Sequence, residues 1–427
     1  MAARRYFGTD GVRGVFGVDL TEELVTRLGR AFATWSGGCR VLVGRDTRAS
    51  GPPLEVALSE GLASGGSPVR FGGILPTPAV ALLAEECGAV ISASHNPPEY
   101  NGVKFFDADG FKLSDADEAA IEGFLEAPPA DDAIDPRWPE SEEGFAERYV
   151  ELVCERFGAP LDGLRIACDS ANGAMSGVAP AAFQRLGAVV TSVGNDPDGT
   201  NINVGCGATD LSLLARVVRE RGLDFGVAFD GDGDRMLAVD ASGAEVDGDR
   251  IVAILALHLA VEVVVVTAMT NLGFHRLMEE RGIRVVTVDV GDRHVLAAMR
   301  REGALLGGEQ SGHVVYLDGH TTGDGLVAAL LLARAVRAAA SPLADLAAVL
   351  RPFPQVRRDV PVRGKTLTEG IESAVARANA ELEAAGRVLV RPSGTEPVVR
   401  ILAEAESTEE AERVCTRISA VVATELG

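Results

Sequence analysis

Ile91-Ser92-Ala93-Ser94-His95-Asn96-Pro97-Pro98-Glu99-Tyr100-Asn101-Gly102-Val103-Lys104 is the stretch around which the rest of the chain reads. Ala89, Val90 and Ile91 form an apolar run of the kind that becomes a buried strand, and the run breaks at once into a Ser/Asn/Pro turn. A small hydroxyl at the mouth of a strand, followed by a rigid turn, is how α/β enzymes present a reactive group. Lys104 lies on the same polar stretch, and with Lys112 it makes up two of only three lysines in the chain. Taken alone, Ser-His-Asn-Pro reads more readily as an exposed surface turn. Four further polar stretches reverse that reading.

Working outward, an apolar strand running into a polar turn occurs three times. Cys39-Arg40-Val41-Leu42-Val43-Gly44-Arg45-Asp46-Thr47-Arg48 is one copy, and Leu164-Arg165-Ile166-Ala167-Cys168-Asp169-Ser170-Ala171-Asn172-Gly173 is a second. Residues 261–266, followed by Thr267-Ala268-Met269-Thr270-Asn271, are the third. Each turn leads into a helix-like segment, which predicts a weak repeat of three α/β units with covered sheets. Between the N-terminal Gly8-Thr9-Asp10-Gly11-Val12-Arg13-Gly14 and the first copy, Leu24, Val25, Leu28 and Phe32 share one helical face, with Thr21 as N-cap and Glu22 and Glu23 in the first turn. Residues 126–143 are rich in proline and acid and read as a linker. A second boundary near 352–361 precedes a strand–helix–strand–strand–helix pattern, whose last helix opens on Ser407-Thr408-Glu409-Glu410, a fit to a capping box. The division expected is 1–145, 146–250 and 251–356 as α/β domains, and 357–427 as a smaller α+β domain.

Composition narrows the function. At 427 residues the chain exceeds one core and suits roughly two to four domains. A net charge of −22 argues against nucleic acid as a partner, so an anionic ligand would need a local concentration of cations. The six cysteines show no Cys-x-x-Cys pair and read as small buried residues of a reduced cytoplasmic protein. The N-terminus lacks an apolar signal core, and the longest apolar stretch, 251–269, contains His258 and Glu262 and reads as helix then buried strand, with no membrane span.

The strongest local chemical signal is Phe229-Asp230-Gly231-Asp232-Gly233-Asp234-Arg235. Alternating carboxylates with intervening glycines let three oxygens converge on one hard cation such as Mg²⁺, and packed so closely they repel without one. An EF-hand is excluded, because its sixth position is Arg235 and its twelfth Ala241. Arg391-Pro392-Ser393-Gly394-Thr395-Glu396-Pro397, with Arg400 beyond, reads as a phosphate cradle or as a plain hairpin loop. Gly307-Gly308-Glu309-Gln310-Ser311-Gly312-His313 suits a polyhydroxyl ligand, and equally an exposed turn. His95, His258 and His275 have no partners at ligand spacing and read as structural. Arg363-Gly364-Lys365-Thr366 fails as a P-loop because position 359 is Asp359, and Gly-Glu-Gln-Ser-Gly around Ser311 is not a nucleophile elbow.

Taken together, five stretches resemble the α-D-phosphohexomutase superfamily: the N-terminal Gly-Thr-Asp-Gly-Val-Arg-Gly and the segments 92–97, 230–235, 308–313 and 391–397. Asn101-Gly102-Val103-Lys104-Phe105-Phe106, Asn201-Ile202-Asn203 and Val290-Gly291-Asp292-Arg293 are most similar to its bacterial members that act on glucosamine phosphates. His294 departs from the Tyr expected there, a matter of local packing.

The resemblance implies three similar α/β domains with mixed sheets and a smaller C-terminal α+β domain around a central cleft. It implies that Ser94 carries a phosphoryl group and that one Mg²⁺ per chain is held by Asp230, Asp232, Asp234 and an oxygen on Ser94. Arg13, Arg45 and Arg235 would add positive charge. Lys104 would serve as general base or acid, for which its pKa would have to fall, with His313 the second candidate for that proton. Glu309 and Ser311 would hold sugar hydroxyls, and Arg391, Ser393, Gly394, Thr395 and Arg400 the non-reacting phosphate. The implied reaction interconverts glucosamine 6-phosphate and glucosamine 1-phosphate through a 1,6-bisphosphate, with a catalytic sugar 1,6-bisphosphate as activator, at the entrance to amino-sugar synthesis. The same chemistry on glucose or mannose phosphates, or a non-catalytic sugar-phosphate sensor, are the alternatives. Phosphorylated hexose or hexosamine is the expected partner, and a homodimer is left open.

Overall fold

Three of the four sheets in the computed structural model follow one plan, set by where the apolar runs fall. The structure describes residues 5–8, 10–126, 140–141, 143–393 and 397–427. The first sheet contains β1 (Val12–Val15), β2 (Val41–Arg45), β3 (Val69–Ile74), β4 (Cys87–Ile91), β5 (Tyr100–Phe106) and β6 (Glu140–Ser141), in the order β1-β5-β4-β2-β3-β6. Its helices are α1 (Glu22–Ser36), α2 (Gly51–Ser64), α3 (Thr77–Leu83) and α4 (Asp115–Glu126). After α5 (Phe145–Phe157) comes a second sheet of β7 (Arg165–Asp169), β8 (Val189–Val193), β9 (Phe225–Phe229), β10 (Met236–Asp240) and β11 (Glu245–Val246), ordered β11-β10-β9-β7-β8, with α6 (Val178–Arg185) and α7 (Ser212–Arg221). After α8 (Gly248–His258), the third sheet contains β12 (Val263–Thr267), β13 (Arg284–Val288), β14 (Leu306–Gly308) and β15 (Val314–Tyr316), ordered β13-β12-β14-β15. The helices that follow β12, β13 and β15 are α9 (Leu272–Glu280), α10 (Asp292–Glu302), α11 (Gly325–Ala339) and α12 (Leu343–Ala347).

In each sheet one strand (β2, β7 or β12) lies between two parallel neighbours. One of those neighbours (β4, β9 or β14) then pairs antiparallel with the next strand in the chain (β5, β10 or β15). The weak repeat in the sequence is therefore a repeat of topology. Strands buried on both faces read as unbroken apolar runs, and every residue of β4 and of β9 is buried. The turns closing the three antiparallel pairs are residues 92–99, 230–235 and 309–313. They lie beyond the carboxyl ends of parallel strands, where open α/β sheets place their ligands.

Local signals behave as the sequence predicts. Thr21 Oγ1 accepts the Leu24 amide at 3.2 Å, and Val25, Leu28 and Phe32 face the core. Residues 251–269 resolve into most of α8 and then β12, and no helix among the described residues is long and apolar enough to cross a membrane. Of the linker segment, 127–139 and 142 lie outside the described residues, while Glu140–Ser141 pairs with β3. The cysteine reading needs correction. Cys39 and Cys87 form a disulfide, because parallel pairing of β2 with β4 brings residues 48 apart in sequence together, with Cα atoms 6.3 Å apart. The other four cysteines are free and buried.

A second compact unit comprises residues 270–282 and 349–427. Its sheet contains β16 (Gln355–Pro361), β17 (Gly386–Pro392) and β18 (Val398–Ala405), antiparallel in the order β16-β18-β17, with α13 (Glu369–Leu382) and α14 (Thr408–Leu426). Ile371, Ala378, Val399, Ile401 and Ile418 are among its core residues. The unit also includes α9. Asn271, its N-cap, exchanges hydrogen bonds with the Phe353 backbone at 2.8 and 3.0 Å, and the Arg276 guanidinium lies 4.4 Å from the Phe353 ring centroid. Ser407 caps α14 by accepting the Glu410 amide at 3.2 Å, while the Glu410 carboxylate turns to Arg413 at 2.9 Å.

Helix α1 packs closely on α2. A Cβ at Gly61 would lie 2.0 Å from the Thr26 carbonyl oxygen, and one at Gly29 2.5 Å from that of Leu58. Gly61→Ala is therefore expected to destabilise the first α/β unit by about 1–3 kcal/mol, the usual cost of overpacking. Scanning calorimetry would read this as a lower first transition, and an unchanged melt would mean that the two helices separate at no cost.

Candidate active site

Ser94 sits at the centre of a rigid turn. It adopts a left-handed backbone (φ 53°), uncommon for a residue with a Cβ and found where surrounding structure imposes it. The cause lies beneath it. Arg48, wholly buried, donates from Nη2 to the carbonyls of Ser94 (2.9 Å) and Asn96 (2.8 Å), from Nη1 to that of Pro97 (2.5 Å), and from Nε to Asp46 (2.9 Å). Ser92 Oγ donates to Asp46 and accepts the Ser94 amide at 2.9 Å, while Asn203 donates a second hydrogen bond to the Ser94 carbonyl at 2.9 Å. Held in this way, the Ser94 hydroxyl donates to Asp230 Oδ2 at 2.5 Å and lies 3.2 Å from His95 Nδ1.

Asp230, Asp232 and Asp234 are all buried, and one carboxylate oxygen from each lies within 4.8 Å of the others. Burial, followed by the charges of Asp234 and Asp232, pushes the Asp230 carboxyl well above the usual carboxylate range. Asp232 Oδ2 accepts from Thr77 Oγ1 at 2.6 Å and Lys104 Nζ at 2.8 Å. Asp232 Oδ1 and Asp234 Oδ1 are buried and have no hydrogen-bond partner among the described residues. Three buried carboxylates with unused oxygens fit a hard dication that takes oxygen ligands, such as Mg²⁺.

Lys104 differs from expectation. Its ammonium lies 2.8 Å from Asp10, 2.8 Å from Asp232 and 3.7 Å from Asp234. Burial alone would lower its pKa, but these carboxylates outweigh burial and push it up to about 12. In this state Lys104 is the internal counterion of the acidic cluster. Burial would likewise raise the Asp234 carboxyl, yet Lys104, His313 and Lys112 hold it well below the ordinary range. Lys112 bridges Asp10 (2.9 Å) and Asp292, extending the chain of alternating charge.

His313 is buried with Nδ1 3.8 Å from Asp234 Oδ1. Burial lowers its pKa, and the nearby Asp234 carboxylate, then Asp292, raise it by more. Glu309 and Ser311 occupy the turn between β14 and β15. Glu309 accepts the Gly291 amide at 3.1 Å, and Ser311 is exposed. A cavity of about 390 Å³ adjoins this network, with Lys112, Asp292, Arg300 and His313 in its wall. Arg13 pairs with Asp10, and Arg235 donates its amide to Asp230 Oδ1 at 3.1 Å. Arg45 is held by Glu55 at 3.2 Å, and Arg48 is the arginine that reaches the serine turn.

In the second unit Arg391 and Arg400 face each other across β17 and β18. Burial and then Arg400 lower the Arg391 pKa. Ser393 is buried and donates its amide to the Val398 carbonyl at 2.9 Å. Gly394 and Thr395, like Thr9 in the N-terminal stretch, lie outside the described residues.

Sequence reasoning missed Asp10 as the shared partner of Arg13, Lys104 and Lys112, and also Thr77. It missed Arg48 too, although Arg48 stands in the same charged turn as Arg45. Nothing local separates the two arginines, since the carbonyl acceptors of Arg48 come from residues 94–97. His95, read as structural, lies 3.2 Å from the Ser94 hydroxyl.

Four family models match the chain: the phosphoglucomutase/phosphomannomutase alpha/beta/alpha domains I (residues 4–130), II (146–243) and III (247–353), and the C-terminal domain (331–421). The chain belongs to the phosphoglucomutase/phosphomannomutase family, the α-D-phosphohexomutases. Its relatives include the phosphoglucosamine mutase of Moorella thermoacetica, 47% identical over 98% of this chain and 99% of that protein. The phosphoglucosamine mutase of Streptomyces griseus is 48% identical over 99% of this chain and 100% of that protein. Among solved structures, a phosphoglucomutase/phosphomannomutase family protein from Burkholderia thailandensis superposes with a TM-score of 0.82 at 26% identity, covering 98% of this chain and 97% of that one. Aspergillus fumigatus N-acetylphosphoglucosamine mutase, solved with GlcNAc-6P and magnesium, shares the fold at a TM-score of 0.69 and 19% identity, covering 98% of this chain and 96% of that one.

Burial, followed by the charges of Arg235 and Arg13, lowers the His95 pKa to about 4. The folded chain thus keeps His95 neutral at pH values where the unfolded chain protonates it. Its contribution to stability is complete above pH 6.5 and is lost as pH falls toward about 4, at about 1.4 kcal/mol per pH unit within that window. His95→Asn should flatten the pH dependence of denaturant midpoints over this range, and an unchanged slope would exclude a neutral buried His95.

Proposed function

We propose that this chain interconverts glucosamine 6-phosphate and glucosamine 1-phosphate through a phosphorylated Ser94 and a 1,6-bisphosphate. Phosphoglucosamine mutases of 43–48% identity over nearly the full length support the substrate. The observation that carries the chemistry is the Ser94 hydroxyl, 2.5 Å from Asp230 at the head of a three-carboxylate cluster.

In the working form a phosphoryl group on Ser94 Oγ faces the hydroxyl of the bound sugar phosphate. The hydroxyl oxygen forms its bond to phosphorus as the bond to Ser94 Oγ breaks, giving the bisphosphate and a free serine. As the phosphoryl group leaves, the Lys104 ammonium gives a proton to Ser94 Oγ, and the amine so formed takes the proton of the sugar hydroxyl, with His313 the second candidate for that role. Mg²⁺, when bound by Asp230, Asp232, Asp234 and an oxygen on Ser94, supplies positive charge that offsets the charge of the phosphoryl group in transfer. The bisphosphate then turns end for end, and Ser94 takes back the other phosphoryl group. Arg391, Ser393, Gly394, Thr395 and Arg400 hold the phosphate that is not reacting, in either orientation. Glu309 and Ser311 hold sugar hydroxyls, and Arg13 and Arg235 add positive charge. A sugar 1,6-bisphosphate primes Ser94 when its phosphoryl group is lost. A cytoplasmic location belongs to this reading, and there the Cys39–Cys87 bond would meet a reducing thiol pool.

The test is the mutase rate with Mg²⁺ and catalytic bisphosphate on glucosamine, glucose and mannose 1-phosphates side by side. The amino sugar is expected to be strongly preferred. Preference for glucose or mannose would keep the mechanism and overturn the substrate, and no turnover on any of the three would favour a sugar-phosphate sensor. Ser94→Ala should abolish turnover and label transfer from a bisphosphate, and near-normal activity in that variant would sink the phosphoserine role.

A further inference from the structure

A buried polar group lies behind the metal loop and touches neither Ser94 nor the three aspartates of the loop. Asp324, 2% exposed, is the N-cap of α11 and accepts the amides of Leu326 (2.8 Å) and Val327 (3.0 Å). Its two oxygens also accept the Tyr149 hydroxyl from α5 at 2.9 and 2.7 Å, and His320 Nε2 lies 2.9 Å from Oδ2. The His320 tautomer is fixed by its other side. Nδ1 accepts the Thr321 amide at 2.8 Å, so the ring proton sits on Nε2 and is donated to Asp324. The Asp324 carboxylate is thus filled by four donors from three segments of chain.

Capping fixes where α11 begins. The first residue of the helix, Gly325, donates its amide to the carbonyl of Gly233 at 3.0 Å. Gly233 stands between Asp232 and Asp234 in a left-handed conformation (φ 76°). A Cβ at Gly325 would lie 2.6 Å from the Arg235 carbonyl oxygen and 2.9 Å from that of Gly233, so the helix start is seated directly on the metal loop. From the opposite side the Met236 amide donates to the Gly312 carbonyl at 3.0 Å.

We propose that Asp324, braced by Tyr149 and His320, is a positioning residue for the metal loop, setting its affinity for a divalent cation through the Gly325 amide. Outer partners of metal ligands commonly change affinity by roughly 10–100-fold when removed. Here the coupling runs through main chain: moving the helix cap moves the carbonyl between two of the carboxylates.

The inference rests on the metal-site reading, and the experiment separates the two. Full-length chain stripped with a chelator is titrated with Mg²⁺ by calorimetry and with Mn²⁺ by electron paramagnetic resonance, with no substrate present. The variants are Asp324→Asn, the milder Tyr149→Phe, and a control, Thr368→Ala. Thr368 caps α13 in the other unit by accepting the Ile371 amide at 3.2 Å, so its loss lowers stability without touching the loop. Asp324→Asn is expected to weaken both ions roughly 10–100-fold, Tyr149→Phe to weaken them by a smaller factor, and Thr368→Ala to leave them unchanged while lowering its melting temperature. Unchanged affinity in folded Tyr149→Phe and Asp324→Asn overturns the positioning role, and so does an equal loss in Thr368→Ala. If Asp324→Asn does not fold, Tyr149→Phe decides. Wild-type chain that binds neither ion overturns the metal site itself.

Discussion

Burying three carboxylates side by side requires positive charge in contact with them, and the site follows from how the chain meets that requirement. An uncompensated buried charge is among the most destabilising features a fold can carry. Lys104 Nζ meets Asp232 and Asp10, Lys112 continues from Asp10 to Asp292, and His313 approaches Asp234 from the far side. These charges alternate in sign across segments distant in sequence, so the electrostatic network also joins the α/β units. The carboxylates are thereby compensated by side chains of the chain itself.

The rigidity of the serine turn has a different origin. No charge is exchanged between Arg48 and the turn. A guanidinium gathers the carbonyls of Ser94, Asn96 and Pro97, each of which also accepts a second donor, and Asp46 takes its charge. Buried polar networks that are fully satisfied specify one arrangement of chain, and here the arrangement is a left-handed Ser94 aimed at Asp230. Asp324 serves the metal loop in the same manner from behind, with tyrosine and histidine as its partners.

Much of this was legible in the sequence. The apolar runs 41–45, 165–169 and 263–267 give the strands at the centre of the three repeated sheets, and the polar turns after 91, 229 and 308 give the loops of the site. What could not be read was any partnership formed across the fold. Arg45 and Arg48 look alike until residues 94–97 supply acceptors for one of them. A base or acid role for Lys104 called for a depressed pKa, but its neighbours are carboxylates, contributed in part by a stretch more than a hundred residues away. The Cys39–Cys87 bond was hidden for the same reason, since strand order and not sequence spacing makes the two residues adjacent.

The threefold strand plan has a consequence for how such a protein can change. One address in the fold, the turn joining the outer parallel strand to its antiparallel partner, was available three times and came to hold three different occupations. Ser94 stands in one, Asp230, Asp232 and Asp234 in the second, and Glu309 and Ser311 in the third. The same position in three similar sheets thus presents a hydroxyl, a carboxylate cluster and a mixed polar set. If the third turn holds the sugar as proposed, drift there would alter which sugar is accepted while the other two turns, each braced by its own buried network, keep the transfer chemistry intact.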